Sequence, residues 1–416
     1  MKKKLIYAAV VAASAGVTFA CSTSYSNNAE PAKSEMQHTA MPTVSSYPET
    51  KTVAQQDNYH GTTVSDPYRW LEEESEEVNA WVEAQNELAR PYLAELSSKA
   101  LYKERLTALW DYEKYSTPYM VNDKLFYTYN NGLQNQYVLY MADGLNGKPE
   151  VLIDPNTLSD DGTVSMASTE LSPKASYLAY MLSDGGTDWK TIHIRETSNK
   201  SDLTDVIKGV KFSNVAWLPD ESGFFYSRYP ENDAGEFDDS QTVSIYFHAI
   251  GTAQNEDTKV FSFDGKPTWN PYPLVIQDGE TLLISVFEGY EANGVYAKSL
   301  KEKNSKLIPI FDKWDGRYDF IGEKEDTLFF TSTADAPTGK VVKVEFDNGV
   351  QSSETVIEST SDTLNSVSLL GGKLFAQYLK DVKGQVSVFD LSGKQIDDIS
   401  FSDIGSVNGF YGDETA

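Results

Sequence analysis

Apolar residues first fall into a helical register at residue 75. From there Val78, Trp81, Val82, Leu88, Tyr92, Leu93 and Leu96 recur three or four positions apart. Ser75 is placed to cap the first turn, and Glu76 and Glu77 lie where a helix N-terminus favours negative charge. Pro91 interrupts the pattern and predicts a kink or a division. A second helix is predicted over "ALYKERLTALW" (100–110), with Leu101, Arg105, Leu106 and Leu109 on one side. After Tyr115 the helical spacing gives way to alternation. The runs "KLFYTYNN", "QYVLYMAD", "SYLAYMLS", "KTIHIRE", "GFFYSRY", "VSIYFHAIG", "TLLISVFE", "TLFFTSTA", "KVVKVEF", "KLFAQYL" and "QVSVFDL" are aromatic and β-branched, and Gly, Asp and Asn turns divide them. They predict strands at all-β spacing.

One phrase recurs within this region: a few apolar residues, a tight polar turn, then a strand rich in Leu, Phe or Tyr. Its turns fall near Asp123, Lys174, Glu221, Gly279, Asp326, Gly372 and Asp413, at spacings of 51, 47, 58, 47, 46 and 41 residues. A repeat of about 40–50 residues with four strands per unit predicts a β-propeller. The alternative is a large irregular β-sandwich. The last unit, "SVNGFYGDETA", reads as a first strand and its turn, so the expectation is a propeller of the seven-bladed type with an incomplete seventh blade. Such a flank would expose Phe375, Tyr378, Val386 and Val388 and promote self-association through the open edge.

The N-terminus has its own pattern. Lys2, Lys3 and Lys4 precede the apolar run "LIYAAVVAASAGVTFA" (5–20), which is short for a membrane span of about 20 residues but suits a signal peptide. Residues 1–20 are therefore expected to be removed on export. Cys21, the only cysteine, stands where a bacterial lipoprotein carries its lipid. Thr18 and Phe19 depart from the Leu and small residue of a lipobox. A soluble protein in the periplasm of a Gram-negative-type bacterium and a lipoprotein anchored through Cys21 both remain open. Residues 21–46 read as a flexible polar tether, residues 47–115 as an N-terminal helical segment, and residues 116–416 as the incomplete propeller.

Charge narrows the partners. The 416 residues carry a formal net charge of −27, which excludes a nucleic-acid surface built on clustered Lys and Arg. A hydrophobic fraction of 40% with 12% aromatics supports a sizeable core rather than a disordered chain. One cysteine forms no internal disulfide, so stability must come from packing.

Candidate chemistry is sparse. No G-x-S-x-G elbow occurs. "GSVNG" (405–409) puts Ser406 in the second position and reads as a strand-end turn. Of four histidines, His38 lies in the tether, His193 and His248 lie in strand-like runs, and His60 reads as a turn residue. No His-x-x-x-His pair or glycine-rich phosphate loop appears, and "DPNTLSDDGTVS" (154–165) lacks the residue order of a calcium loop. The residues themselves describe a scaffold with no catalytic residues, no metal ligands and no cofactor.

Seven collinear segments add a resemblance. "DNYHGTTVSDPYRWLEE", "AWVEAQNELARPYL", "LYKERLTALWDYEKYSTP", "GLQNQYVLY", "LIDPNTLSDDGTVS", "GTDWKTIHI" and "VKFSNVAWLPDESGFFYSRYP" together resemble the N-terminal half of prolyl oligopeptidase, from about residue 47 onward. The resemblance implies a seven-bladed propeller covering an α/β-hydrolase domain, with the helical segment packed on that hydrolase. It implies a serine endopeptidase that cleaves short peptides after proline, the propeller admitting substrate by size. The family's Ser, Asp and His follow the propeller, so this chain is expected to be inactive alone, as a truncated or frameshifted enzyme. The alternative is an exported propeller that binds peptides without catalysis. Phe212, in "VKFSNVAW", matches a family aromatic that lines the substrate cavity; an ordinary core residue between blades is the competing reading.

Overall fold

The computed structural model describes residues 44 and 46–412, except 303, 304, 348 and 411. The expected signal peptide, Cys21, His38, most of the tether and the turn at Asp413 lie outside the described residues. The chain divides into two compact units, residues 1–109 and 110–416.

In the first unit, strands Gln56–Tyr59 and Thr62–Ser65 form a hairpin. Two helices follow, α1 (Glu76–Glu95) and α2 (Ser97–Trp110). Ser75 caps α1 as expected, its hydroxyl accepting from the Val78 amide at 3.2 Å. The leading segment is pinned to this unit by two indoles: Trp70 Nε1 donates to the Lys51 carbonyl at 2.9 Å and Trp81 Nε1 to Thr50 Oγ1 at 3.0 Å. Helix α1 continues through Pro91 instead of dividing there. The proline sits one turn from the C-terminal end, where few hydrogen bonds remain to be lost. Neither helix buries a residue, and Leu93, Leu101, Leu106 and Leu109 are exposed.

Among the described residues the second unit holds six antiparallel sheets, one for each full repeat predicted. Blade 1 has a split first strand (Lys114–Tyr115 and Tyr119–Val121), then Lys124–Asn130, Val138–Asp143 and Glu150–Ile153. Blade 2 is Val164–Leu171, Tyr177–Asp184, Lys190–Glu196 and Ser201–Val210; blade 3 is Ala216–Trp217, Gly223–Arg228, Ser244–Ala249 and Thr258–Ser262. Blade 4 is Asn270–Ile276, Thr281–Phe287, Asn293–Ser299 and Ile308–Phe311. Blade 5 is Tyr318–Lys324, Thr327–Ser332, Lys340–Phe346 and Val350–Ile357; blade 6 is Thr363–Leu370, Lys373–Lys380, Lys383–Asp390 and Gln395–Ile399. This is propeller architecture, and the sandwich alternative falls.

The continuous apolar runs now have a cause. A strand buried on one face alternates, whereas a strand between two stacked sheets is apolar on both faces. Phe224 and Tyr226 pack toward blade 2 with Ile192, Ile194 and Ile207, while Phe225 between them packs toward blade 4 with Leu282 and Ile284. Phe330 joins Leu283 and Val295 of blade 4, and its neighbour Phe329 joins Leu374 and Ala376 of blade 6. Phe126, Leu139 and Leu152 of blade 1 meet Leu178 and Tyr180 of blade 2.

The six full blades expected are present among the described residues, and two finer expectations are corrected. Residues 400–410 contain no strand. The predicted open flank of blade 6 is covered: Tyr378, Val386 and Val388 are buried, and Phe375 is stacked by Phe410 with ring centroids 5.4 Å apart. Tyr378 faces blade 5. Val386 and Val388 lie on the opposite face with Phe375, under the returning C-terminal segment; Val407 lies against Gly384 of the same sheet face.

Candidate functional site

Antiparallel order puts two kinds of loop at the same end of every sheet: those joining second to third strands, and those leading from a fourth strand to the next blade. Three such segments converge where blades 2 and 3 meet. They are residues 185–189, residues 211–215 and the long loop of residues 229–243. Each delivers an aromatic residue. Trp189 stands edge-on to Tyr229 at 5.6 Å and tilts toward Phe237 at 6.3 Å.

Phe212 lies in the middle segment and is 40% exposed. The reading of Phe212 as a core residue between blades therefore fails. Two ammonium groups flank its ring, Lys211 Nζ at 5.6 Å and Lys190 Nζ at 5.9 Å. Lys211 also lies 5.4 Å from the Trp189 ring and forms an ion pair with Asp239 at 2.6 Å. Lys190 is tied down by the carbonyls of Asp188 and Lys211, at 3.1 and 2.8 Å. Cation–π contacts of this kind contribute about 0.5–1 kcal/mol each at exposed sites. They help to hold the rings in place while Phe212 stays exposed.

The cluster is anchored from below. Tyr229 donates its backbone amide to Gly209 at 2.9 Å and its hydroxyl to Asn270 Oδ1 at 3.1 Å. Burial, reinforced by Asp239 and Tyr272, raises the Tyr229 pKa and keeps the phenol neutral. Gly209 has a φ of +76°, and a Cβ there would run into the Phe237 ring. Glycine serves at this position both conformation and close approach.

The arrangement offers aromatic faces and fixed positive charge, with no nucleophile and base brought together. His60 sits at the tip of the first hairpin with a φ of +51°, and the turn is held by Asn58, whose side-chain Oδ1 accepts from the Gly61 amide. His193 is stacked on Tyr180 at 5.3 Å and burial lowers its pKa. His248 does meet two carboxylates, Asp257 at 2.7 Å through Nδ1 and Asp205 at 3.1 Å through Nε2. It has no exposed surface and both nitrogens are occupied, so it is a structural node rather than a general base. Ser406 lies in the strandless C-terminal segment. "DPNTLSDDGTVS" links the last strand of blade 1 to the first of blade 2, with Asp154 Oδ1 accepting from the Asn156 amide at 3.0 Å. Sequence reasoning singled out Phe212, through the resemblance alone, and did not single out Trp189, Tyr229, Phe237 or either lysine. Alternation marks strands and is silent on which loops meet.

Comparison with known proteins follows the same outline. Residues 48–416 match the family model described as prolyl oligopeptidase, N-terminal beta-propeller domain. A prolyl endopeptidase of Elizabethkingia meningoseptica is 37% identical over 373 residues, covering 89% of this chain and 52% of that protein. Prolyl oligopeptidase A of Galerina marginata is 29% identical, covering 83% of this chain and 51% of its own. Among solved structures, prolyl oligopeptidase B of Galerina marginata, bound to a 35mer hydrolysis and macrocyclization substrate, superposes with a TM-score of 0.79 at 26% identity. That match covers 89% of this chain and 56% of the other. The chain spans about half the length of the curated relatives it matches.

Proposed function

Because this chain belongs to the prolyl oligopeptidase family, through that family's N-terminal β-propeller domain, we propose that it is the substrate-admitting part of a serine endopeptidase cleaving short peptides after proline. The nucleophile, base and oxyanion donors would come from a hydrolase domain; the propeller selects by size and holds peptide on the aromatic face around Phe212. The observation that carries this reading is that face, with an exposed phenyl ring in contact with two lysines at the loop end of blades 2 and 3. In the same reading the propeller is seven-bladed, the seventh sheet filling the place between blades 6 and 1. Five core clusters link the six blades in sequence, and among the described residues none links blade 6 to blade 1.

The test is binding by the purified chain. Proline-containing peptides of about eight residues should bind, and Phe212→Ala should weaken them five- to tenfold through lost ring contact. No peptide ester or amide should be hydrolysed above background, because the 416 residues contain no nucleophile elbow. Labelling of any serine by an organophosphonate would overturn the second expectation. A second reading, an exported peptide-binding propeller without catalysis, draws support from residues 400–410, which cover the face of blade 6 with Phe410 on Phe375. We also propose export with loss of residues 1–20, Cys21 being the lipid acceptor if the product is anchored. Intact-mass measurement on protein from a bacterial envelope decides this, and a retained Met1 refutes it.

A further inference from the structure

Beside the Phe212 face, and sharing Tyr229 and Phe237 with it, lies a cleft of about 460 Å³. Arg228, the last residue of the second strand of blade 3, enters it. Its guanidinium carbon stacks 4.1 Å from the centre of the Tyr246 ring. Its Nε is buried and has no hydrogen-bond partner, and among the described residues no carboxylate pairs with the group. The other two propeller arginines are paired. Arg195 forms a two-point bond with Asp202 at 2.7 Å on each side, and Arg317 binds Asp319 at 2.8 Å.

That vacancy is unusual here. The chain carries 62 acidic residues against 35 basic ones, so a partner for one more guanidinium was abundantly available. Burying a guanidinium nitrogen without a hydrogen-bond partner is unfavourable, and an unpaired buried polar atom calls for an explanation. A planar fork held over an aromatic ring is preorganised for a planar, two-oxygen ligand. The cleft also holds one acid, Glu231, and no second cation. One positive charge beside one negative charge suits a monoanion and disfavours a doubly charged phosphate. Gln254 is locked by two bonds to the Lys208 backbone, at 2.9 and 3.0 Å, and makes a rigid wall. The volume lies within the range of small-ligand sites and fits the end of a short peptide, not a folded surface.

We propose that Arg228 binds a carboxylate of a short peptide, with the adjoining residues lying across Tyr229 and Phe237 toward Phe212. This rests on the peptide-handling reading above and extends it: the propeller recognises charge as well as size. The carboxylate could be the peptide's own C-terminus or an acidic side chain.

Calorimetry with three probes separates these cases: N-acetyl-Ala-Pro-Ala as free acid, the same peptide as C-terminal amide, and N-acetyl-Glu-Pro-Ala amide. The free acid or the Glu peptide should bind about tenfold or more tighter than the neutral amide, as a charge-assisted pair requires. Whichever acidic probe shows the advantage identifies the source. Arg228→Gln should abolish the advantage, Arg228→Lys should keep part of it, and Glu231→Gln should enlarge it severalfold. The gain in the last variant requires a folded site, so it guards against loss by misfolding. Phe212→Ala should weaken all three probes alike and leave the ratio intact. If acids and amide bind equally while Phe212→Ala still weakens them, the carboxylate site is wrong and the peptide-handling reading stands. If none binds at millimolar concentration, both fall.

Discussion

At His248, one imidazole with no exposed surface joins a carboxylate from blade 2 and another from blade 3. Tyr226 adds its hydroxyl to Asp257 at 2.5 Å, and the Gly251 amide donates to Asp205 at 2.7 Å. Burial alone would lower the His248 pKa, but the hydrogen bonds it donates to Asp257 and Asp205 outweigh that and raise the value. A histidine whose folded pKa exceeds its unfolded value of about 6.5 stabilises the fold fully below that pH. The contribution is lost as pH rises through the folded value. Breaking such a node leaves two buried carboxylates facing each other, so His248→Gln should cost about 3 kcal/mol near pH 6. Urea unfolding at a series of pH values should show the gap between parent and variant narrowing as pH rises. A gap independent of pH would mean that the imidazole is held neutral. None of this was legible in the sequence: Asp205 lies in the fourth strand of blade 2, His248 in the third strand of blade 3 and Asp257 in the loop before its fourth, and His248 reads as one more strand residue.

At the scale of elements, the seven predicted turns were the most legible feature. The six that fall within the described residues each join the first and second strands of a blade. Asn122, Ala175, Glu221 and Glu325 take positive φ at four of them, between +50° and +64°, and glycines serve at Gly279 and Gly372. The tight polar turn was visible because few residues tolerate this backbone region. What it does was not visible. Successive turns clasp one another around the blades: Asn122 Nδ2 donates to the Pro173 carbonyl at 3.1 Å, and Glu221 accepts from Ser172 Oγ at 2.5 Å and the Lys174 amide at 2.7 Å. Gly279 lies against Pro219, where a Cβ would come within 2.9 Å of the ring. Burial opposes ionisation of Glu221, but its hydrogen bonds from Ser172, Ser176 and the Lys174 amide lower the pKa overall. Its stabilising effect is therefore present above the unfolded value near 4.3 and is lost as pH falls through the folded one. Glu221→Ala should destabilise by about 1–3 kcal/mol at neutral pH by orphaning buried donors. The penalty should shrink in acid; thermal melts at pH 7 and pH 3 check this, and equal penalties would contradict it.

At the scale of the molecule, the expected open flank on blade 6 is covered, so association must be sought elsewhere. The exposed leucines of α1 and α2 remain, with an outward face of blade 1 built from Tyr115, Tyr127, Tyr129 and Tyr140. Apolar helix faces without a partner mark interaction surfaces. The purified chain should therefore associate in a concentration-dependent way and bind hydrophobic dyes. Replacing Leu101, Leu106 and Leu109 together by Gln should reduce both, as sedimentation velocity and dye fluorescence would register. Persistent association in that variant would assign the contact to the blade 1 tyrosines instead.

The sequence alone determined the all-β repeat, the strands, the helix capped by Ser75 and the kind of turn that joins the first two strands of each blade. These depend on local periodicity and local backbone sterics, which neighbouring residues carry in full. It also marked Phe212, though only through a motif and not through its surroundings. Tertiary structure decided which loops meet at Trp189, Phe212 and Tyr229, that Phe375 lies under Phe410, that His248 bridges two blades, and that Arg228 is left without a carboxylate. Each of these depends on the angle and spacing at which one sheet stacks on the next. Those quantities are set by side chains dozens of residues apart packing into a common core, and no window along the chain contains them.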